Sequence, residues 1–130
     1  MQHCKDLSGR HAAFKSLVPA VLQDHASGEI LMMGWMNETA VRQTIETGLA
    51  TFYSRSRDKM WVKGESSGHT QEVVEARTDC DQDVLLLKVK SNGPCCHVGY
   101  KSCFYRKITD PQTLETVEEK VFDPEAVYRS

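Results

Sequence analysis

Residues 79–103, DCDQDVLLLKVKSNGPCCHVGYKSC, constrain this chain more than any other stretch. Val84 to Val89 is a strong apolar run that reads as a strand, and donor-rich segments bound it on both sides. Asp79, Asp81 and Asp83, with Cys80 between them, precede the run. Cys95, Cys96, His97 and Cys103 follow it, so the stretch holds four of the five cysteines in the chain. Thiolates are soft ligands and carboxylates hard ones. Two kinds of cation, zinc-like and magnesium-like, are therefore expected to suit it.

Spacing sets limits on how these donors can meet. Alternate residues of an extended strand share a face about 6.5–7 Å apart, so neighbours such as Asp79 and Asp81 can converge on one cation. Asp79 and Asp83 would stand about 13 Å apart in such a strand, too far for one magnesium at about 2.1 Å per ligand. An extended backbone would also turn Cys80 to the opposite face. A pocket using both donor sets therefore demands a turn here, or ligands from two chains. The plainer alternative is a solvated acidic turn before a buried strand. Among the thiols, Cys96 and Cys103 are seven apart and Cys80 lies sixteen before Cys96, so no C-x2-C knuckle is present. Gly93-Pro94 and Gly99 bracket a loop that can bend toward a metal. Adjacent side chains point apart, which makes Cys96 the expected ligand and Cys95 a packing residue. Thiols buried as small hydrophobes are the competing reading.

The chain has 130 residues and a formal net charge of -2. That length suits one domain with a single core. The charge balance gives no case for binding duplex nucleic acid or an anionic membrane. No apolar run approaches the roughly 20 residues of a membrane span. The segment MQHCKDLSGRHAAFK has no continuous apolar region and does not read as a secretory signal. An odd cysteine count argues against a secreted disulfide scaffold, and a reducing, cytoplasmic compartment is the expectation.

Residues 1–16 read as a lead-in. Leu17 to Gln23 reads as a strand that Pro19 restricts to an edge or a strand start. Ile30 to Met36 is a second strand, forming a hairpin with the first. Asn37 suits a helix N-cap, and Gly48 a left-handed stop, so a helix over about 38–47 follows. Its Thr and Val content is unfavourable, and tertiary packing must hold it. Leu49 to Ser54, Met60 to Lys63, Thr70 to Arg77 and Val84 to Val89 are further strands, and Cys103 to Ile108 reads as the last. Residues 109–130 read as a polar tail, with Val117 to Val121 one turn of helix. These elements make one α+β domain over 1–130, strand-rich with one main helix, whose short edges a dimer would cover.

Phe52 to Lys63, FYSRSRDKMWVK, carries Arg55, Arg57 and Lys63 among serines and aromatics. Guanidinium forks and hydroxyls match phosphate geometry. An exposed charged hairpin tip is the alternative. His69, after the small-residue loop 64–68, and His97, beside Cys96, are the two candidates for proton transfer near neutral pH.

These segments resemble phosphoribosyl-AMP cyclohydrolase, the hydrolase of histidine biosynthesis. The resemblance rests on GWMNETA (34–40), TGLATFYSRSR (47–57), WVKGESSGHTQ (61–71), DCDQDVLLLKV (79–89), GPCCHVG (93–99) and SCF (102–104), in that order. Tyr53 stands where the family usually has Trp, Cys95 where it has Ala, and Val98 where it has Thr. The resemblance implies zinc at Cys80, Cys96 and Cys103, and magnesium at Asp79, Asp81 and Asp83. It implies a homodimer with the active site, and the zinc ligands, shared between chains. It also implies hydrolysis of the N1–C6 bond of the adenine ring in 1-(5-phosphoribosyl)-AMP. His69 or His97 would move the proton, and Arg55, Arg57 and Lys63 would hold the phosphates. Two alternatives stand beside it. A zinc nucleobase deaminase would show H-x-E and P-C-x-x-C, but His69 is followed by Thr70-Gln71 and Pro94 by Cys-Cys-His. The other is a zinc-stabilised binding module without turnover.

Overall fold

A computed structural model describes residues 17–121, which hold eight strands and one helix. Strand β1 (Val18–Asp24) alternates strictly, with Val18, Ala20 and Leu22 buried. It turns through Gly28, at φ +80°, into β2 (Ile30–Met36), and the two pair antiparallel from Val18↔Met36 onward. Two later strands complete the sheet: β5 (Gln71–Thr78) and β6 (Leu85–Ser91), in the order β2-β1-β6-β5. β1 pairs parallel with β6 only from Ala20 onward. Pro19 therefore sits ahead of the parallel ladder, where its missing N–H costs nothing. The strand it opens is central rather than at an edge.

Helix α1 (Glu38–Thr47) begins as expected. The Asn37 side chain accepts from Ala40 N at 2.8 Å, and Gly48 closes the helix at φ 79°. Tertiary contacts hold its unfavourable residues. Thr44 is 1% exposed; its hydroxyl donates to Ala40 O at 2.8 Å and accepts from Thr51 N at 3.0 Å, tying the helix to the next strand.

That strand, β3 (Thr51–Ser54), forms a hairpin with β4 (Lys59–Val62), which packs on β2 through Phe52. A Cβ at Gly34 would come within 2.5 Å of the Phe52 ring, so only glycine allows this approach. Phe52, Leu22, Leu31, Met36 and Leu87 make the centre of the core, where each side chain contributes about 1.5–3 kcal/mol by leaving water.

The C-terminal region differs from its expectation. The last strand does not run from Cys103; β7 covers Arg106–Asp110, and β8 covers Thr113–Thr116, inside what reads as a polar tail. Pro111-Gln112 makes the turn, where Asp110 Oδ1 accepts from Gln112 N at 2.8 Å. Nor do Val117 to Val121 form a helical turn. Val117 N donates to Tyr105 O at 3.0 Å and Val121 N to Gly99 O at 2.7 Å, so long-range acceptors draw the backbone out. The lead-in 1–16 and residues 122–130 lie outside the described residues. Among those described, no helix is long and apolar enough to cross a membrane.

Candidate active site

The β3–β4 hairpin and the loop after it form one wall of a hollow of about 510 Å³. Arg57, Lys63, His69 and Cys95 all line it, with Trp61 and the small residues of the 64–67 loop. Gly64 and Gly68, both at φ +85°, let this loop fold back on itself, and Gly68 N donates to Gly64 O at 2.7 Å. The turn brings His69 against the start of loop 93–103, at Gly93. Lys63 Nζ lies 6.0 Å from the Trp61 ring centroid. Arg55 faces an adjoining hollow of about 520 Å³ that shares Arg57 and Trp61. The Tyr53 hydroxyl donates to Asp58 across the hairpin tip; that bond, with desolvation and the Asp58 charge, raises the phenol above its usual range. His97 is exposed and does not line either hollow.

Loop 93–103 folds on itself through Cys95 N to Lys101 O at 3.0 Å and Cys96 N to Tyr100 O at 3.1 Å. Cys103 N then donates to Leu31 O at 2.7 Å, anchoring the loop to β2. Lys101 Nζ makes ion pairs of 3.1 Å to both Asp24 and Glu29, fixing it to the β1–β2 turn. Cys103 has side-chain hydrogen bonds with Cys95 and with Cys96. The Cys95 bond leads in holding the Cys103 thiol down to about 6, against desolvation, with the Lys63 charge and Cys96 assisting. The same bond, then burial, pushes the Cys95 thiol up. Cys95 packs as expected, 1% exposed in the core cluster, with Cys103 beside its sulfur.

The aspartates meet in a turn, which removes the distance limit of an extended strand. Asp79 Oδ1 accepts from Asp83 N at 2.9 Å and Val84 N at 3.2 Å, and Gln82 adopts φ 61°. Ligand atoms of Asp79, Asp81 and Asp83 consequently lie within 4.8 Å of one another, the one such donor trio among the described residues. The carboxylates crowd one another. Asp83 is pushed up to about 6, first by its side-chain hydrogen bond to Asp79, then by that to Asp81, desolvation and the two neighbouring charges. Desolvation also pushes Asp79 up, but the Asp83 and Val84 N–H groups and its two aspartate partners hold it below the usual carboxylate range. Crowded carboxylates are hard oxygen donors of the kind a divalent cation takes.

Cys80 does not meet Cys96 and Cys103 within one chain. Gln71 pairs with Ser91 at one end of the β5–β6 ladder, beside His69 and loop 93–103. Thr78 pairs with Leu85 at the other end, beside the aspartate turn that also carries Cys80. The eight residues of β5 cover roughly 23 Å at about 3.3 Å per residue. Cys80 is thus held away from Cys96 and Cys103 by the length of a strand.

Gln71 took no part in the sequence-based site and Gly93 entered it only as a bracket of the loop, yet both touch the surroundings of His69. Gln71 N-terminal to Val73 shares the inward register of β5, and an amide at a core-facing position was the available signal.

A model of the family described as phosphoribosyl-AMP cyclohydrolase matches residues 32–105. The chain belongs to that family. It is a hydrolase acting on a cyclic amidine bond. The phosphoribosyl-AMP cyclohydrolase of Chlorobaculum parvum is 54% identical over 114 residues, covering 88% of this chain and 83% of its own. That of Desulforapulum autotrophicum is 51% identical over 114 residues, covering 87% and 91%. That of Paracoccus denitrificans is 59% identical over 98 residues, covering 75% and 81%. The matched span runs from within β2 through loop 93–103, and so takes in every expected ligand.

Proposed function

We propose that the chain hydrolyses the N1–C6 bond of the adenine ring in 1-(5-phosphoribosyl)-AMP, giving the formimino imidazole carboxamide ribonucleotide of histidine biosynthesis. Family membership supports the reaction. The observation that carries the assignment of residues is the shared lining of one hollow by Arg57, Lys63, His69 and Cys95, next to the Cys96–Cys103 contact.

Cys80, Cys96 and Cys103 would hold zinc, and Asp79, Asp81 and Asp83 would hold magnesium. The donor chemistry fits both: neighbouring thiols with a nearby lysine charge on one side, crowded carboxylates on the other. Zinc held by these three sulfurs would supply Lewis acidity toward an attacking water. His69 takes the proton from that water and returns one toward N1 as the ring bond breaks. His97, exposed beside Cys96, is the second choice for this role. Arg57 and Lys63 hold phosphate at the mouth of the hollow, and Arg55 reaches it from the adjoining one. Trp61, shared by both hollows, offers an aromatic face to a base.

A homodimer with a shared zinc site accounts for the separation of Cys80 from the other two sulfurs. The β7–β8 hairpin supports it as well. Every residue of that hairpin is exposed, with Ile108 74% and Leu114 55% accessible. A two-stranded hairpin is marginal alone and gains from a surface to pack against.

The test is incubation with 1-(5-phosphoribosyl)-AMP, following absorbance with and without a chelator. Ring opening that stops on chelation, with the circular dichroism spectrum kept, is the expected result. Unfolding on chelation with no turnover beforehand would instead favour a zinc-stabilised binding module.

A further inference from the structure

We propose that Gln71 and Gly93 clamp the His69 imidazole against loop 93–103, which makes Gln71 a positioning residue for the proton transfer. The inference rests on the acid–base reading of His69. Two bare backbone surfaces enclose this histidine. A Cβ on Gly93, at φ +148°, would lie 2.4 Å from Cδ2 and 2.7 Å from Cγ of the His69 ring. A Cβ on Gly64 would lie 2.3 Å from the His69 carbonyl. The ring thus packs flush on the peptide that leads into Pro94, Cys95 and Cys96.

One side chain pins both pieces. Gln71 is 0% exposed, and its Nε2 donates to His69 O at 3.1 Å and to Gly93 O at 3.4 Å. The amide has two N–H groups, and each finds a carbonyl on a different segment. Ser91 Oγ donates to the same Gly93 carbonyl at 2.5 Å. Asn92 adds two stitches to Thr70, through its N–H to Thr70 O at 2.9 Å and its Nδ2 to Thr70 Oγ1 at 2.8 Å. Gln71 Oε1 is buried with no hydrogen-bond partner among the described residues. The amide acts here purely as a donor, which fixes its orientation and distinguishes it from a carboxylate of the same shape.

The experiment is a double-mutant cycle on purified, metal-loaded enzyme with 1-(5-phosphoribosyl)-AMP. Gln71→Glu keeps the shape and removes both donors. It should lower kcat by about tenfold to a hundredfold, as ~1 Å displacements at reacting groups do, while KM stays within about twofold and zinc content is unchanged. In a His69→Ala background the same substitution should cost less than about twofold, because the group it positions is gone. Gln71→Met, uncharged and of similar length, repeats the cycle should the glutamate variant fail to fold. Equal losses with and without His69 would overturn the clamp, as would wild-type turnover in both Gln71 variants beside a slow His69→Ala. Full turnover of His69→Ala by itself removes the acid–base reading, and the clamp with it.

Discussion

The aspartate turn and the cysteine loop flank the same strand, β6, and assemble their donors in opposite ways. Asp79, Asp81 and Asp83 come together within five residues, because one side chain accepts from two backbone N–H groups and Gln82 enters the left-handed region. Local backbone chemistry suffices for the hard site. The soft site is assembled by long-range contacts, Cys103 N to Leu31 O and Lys101 to Asp24 and Glu29, and still leaves Cys80 a strand's length away. A site built by a turn belongs to one chain. A site built across a sheet can be left incomplete by it, and a second copy then becomes part of the chemistry.

The largest expected effect separates the two thiols that sit side by side. Cys96→Ser should abolish ring opening and zinc binding, whereas Cys95→Ser should retain zinc and measurable turnover. Metal analysis with the absorbance assay reads both. The opposite outcome would make Cys95 the ligand and redraw the soft site around the Cys95–Cys103 contact.

His69→Ala follows in size. Loss of a general acid–base group costs about 10²–10⁴-fold in rate. Zinc content should not change, since the imidazole lines the hollow without belonging to the sulfur cluster. Full activity would pass the role to His97.

Much of this contrast was legible in the residues. Asn37, Gly48 and the alternation of β1 announced their elements because capping, left-handed stops and two-residue periods are local. The donor residues announced themselves by type. What the residues did not carry was non-local. Pro19 opens a central strand because β6 begins to pair one residue later. Val117 and Val121 stay extended because Tyr105 and Gly99 offer carbonyls from elsewhere in the chain. The turn through Asp79–Asp83 was one of the alternatives the spacing left open, and the Gln82 conformation is what makes it. Gln71 looked like one more polar residue at a strand start until its burial was seen.

Titration sharpens the comparison at the hard site. Asp83 holds its proton up to about 6 in the folded chain, against 3.8 for an ordinary aspartate. The folded state therefore binds more protons than the unfolded one between those values. Its contribution to stability is full below 3.8 and is lost as pH rises through about 6. Asp79 runs the other way, contributing above 3.8 and losing that contribution as pH falls through its depressed value. In metal-free protein the melting temperature of the wild type, relative to Asp83→Asn, should fall as pH rises from below 5 to above 7. Added magnesium should reverse the trend, because the cation replaces the Asp83 proton. A flat difference across that window would show that the carboxylates do not crowd one another.

The smallest effect belongs to Lys101. Its two ion pairs tie the cysteine loop to the β1–β2 turn, but its side chain is 41% exposed and solvent screens it. Lys101→Met should cost no more than about 1 kcal/mol in urea denaturation. A larger loss, accompanied by loss of zinc, would show that surface charge rather than backbone bonding holds the loop.

The central claim is that the soft site takes Cys80 from one chain and Cys96 and Cys103 from another. Mixing two inactive variants, Cys80→Ser and Cys96→Ser, tests it most directly. After denaturation and joint refolding, half the dimers are mixed, and each mixed dimer has one site with all three sulfurs intact. The mixture should recover about one quarter of wild-type activity and zinc content, as two-fold symmetry requires. A mixture as inactive and as metal-free as its components would contradict the claim and return the site to a single chain.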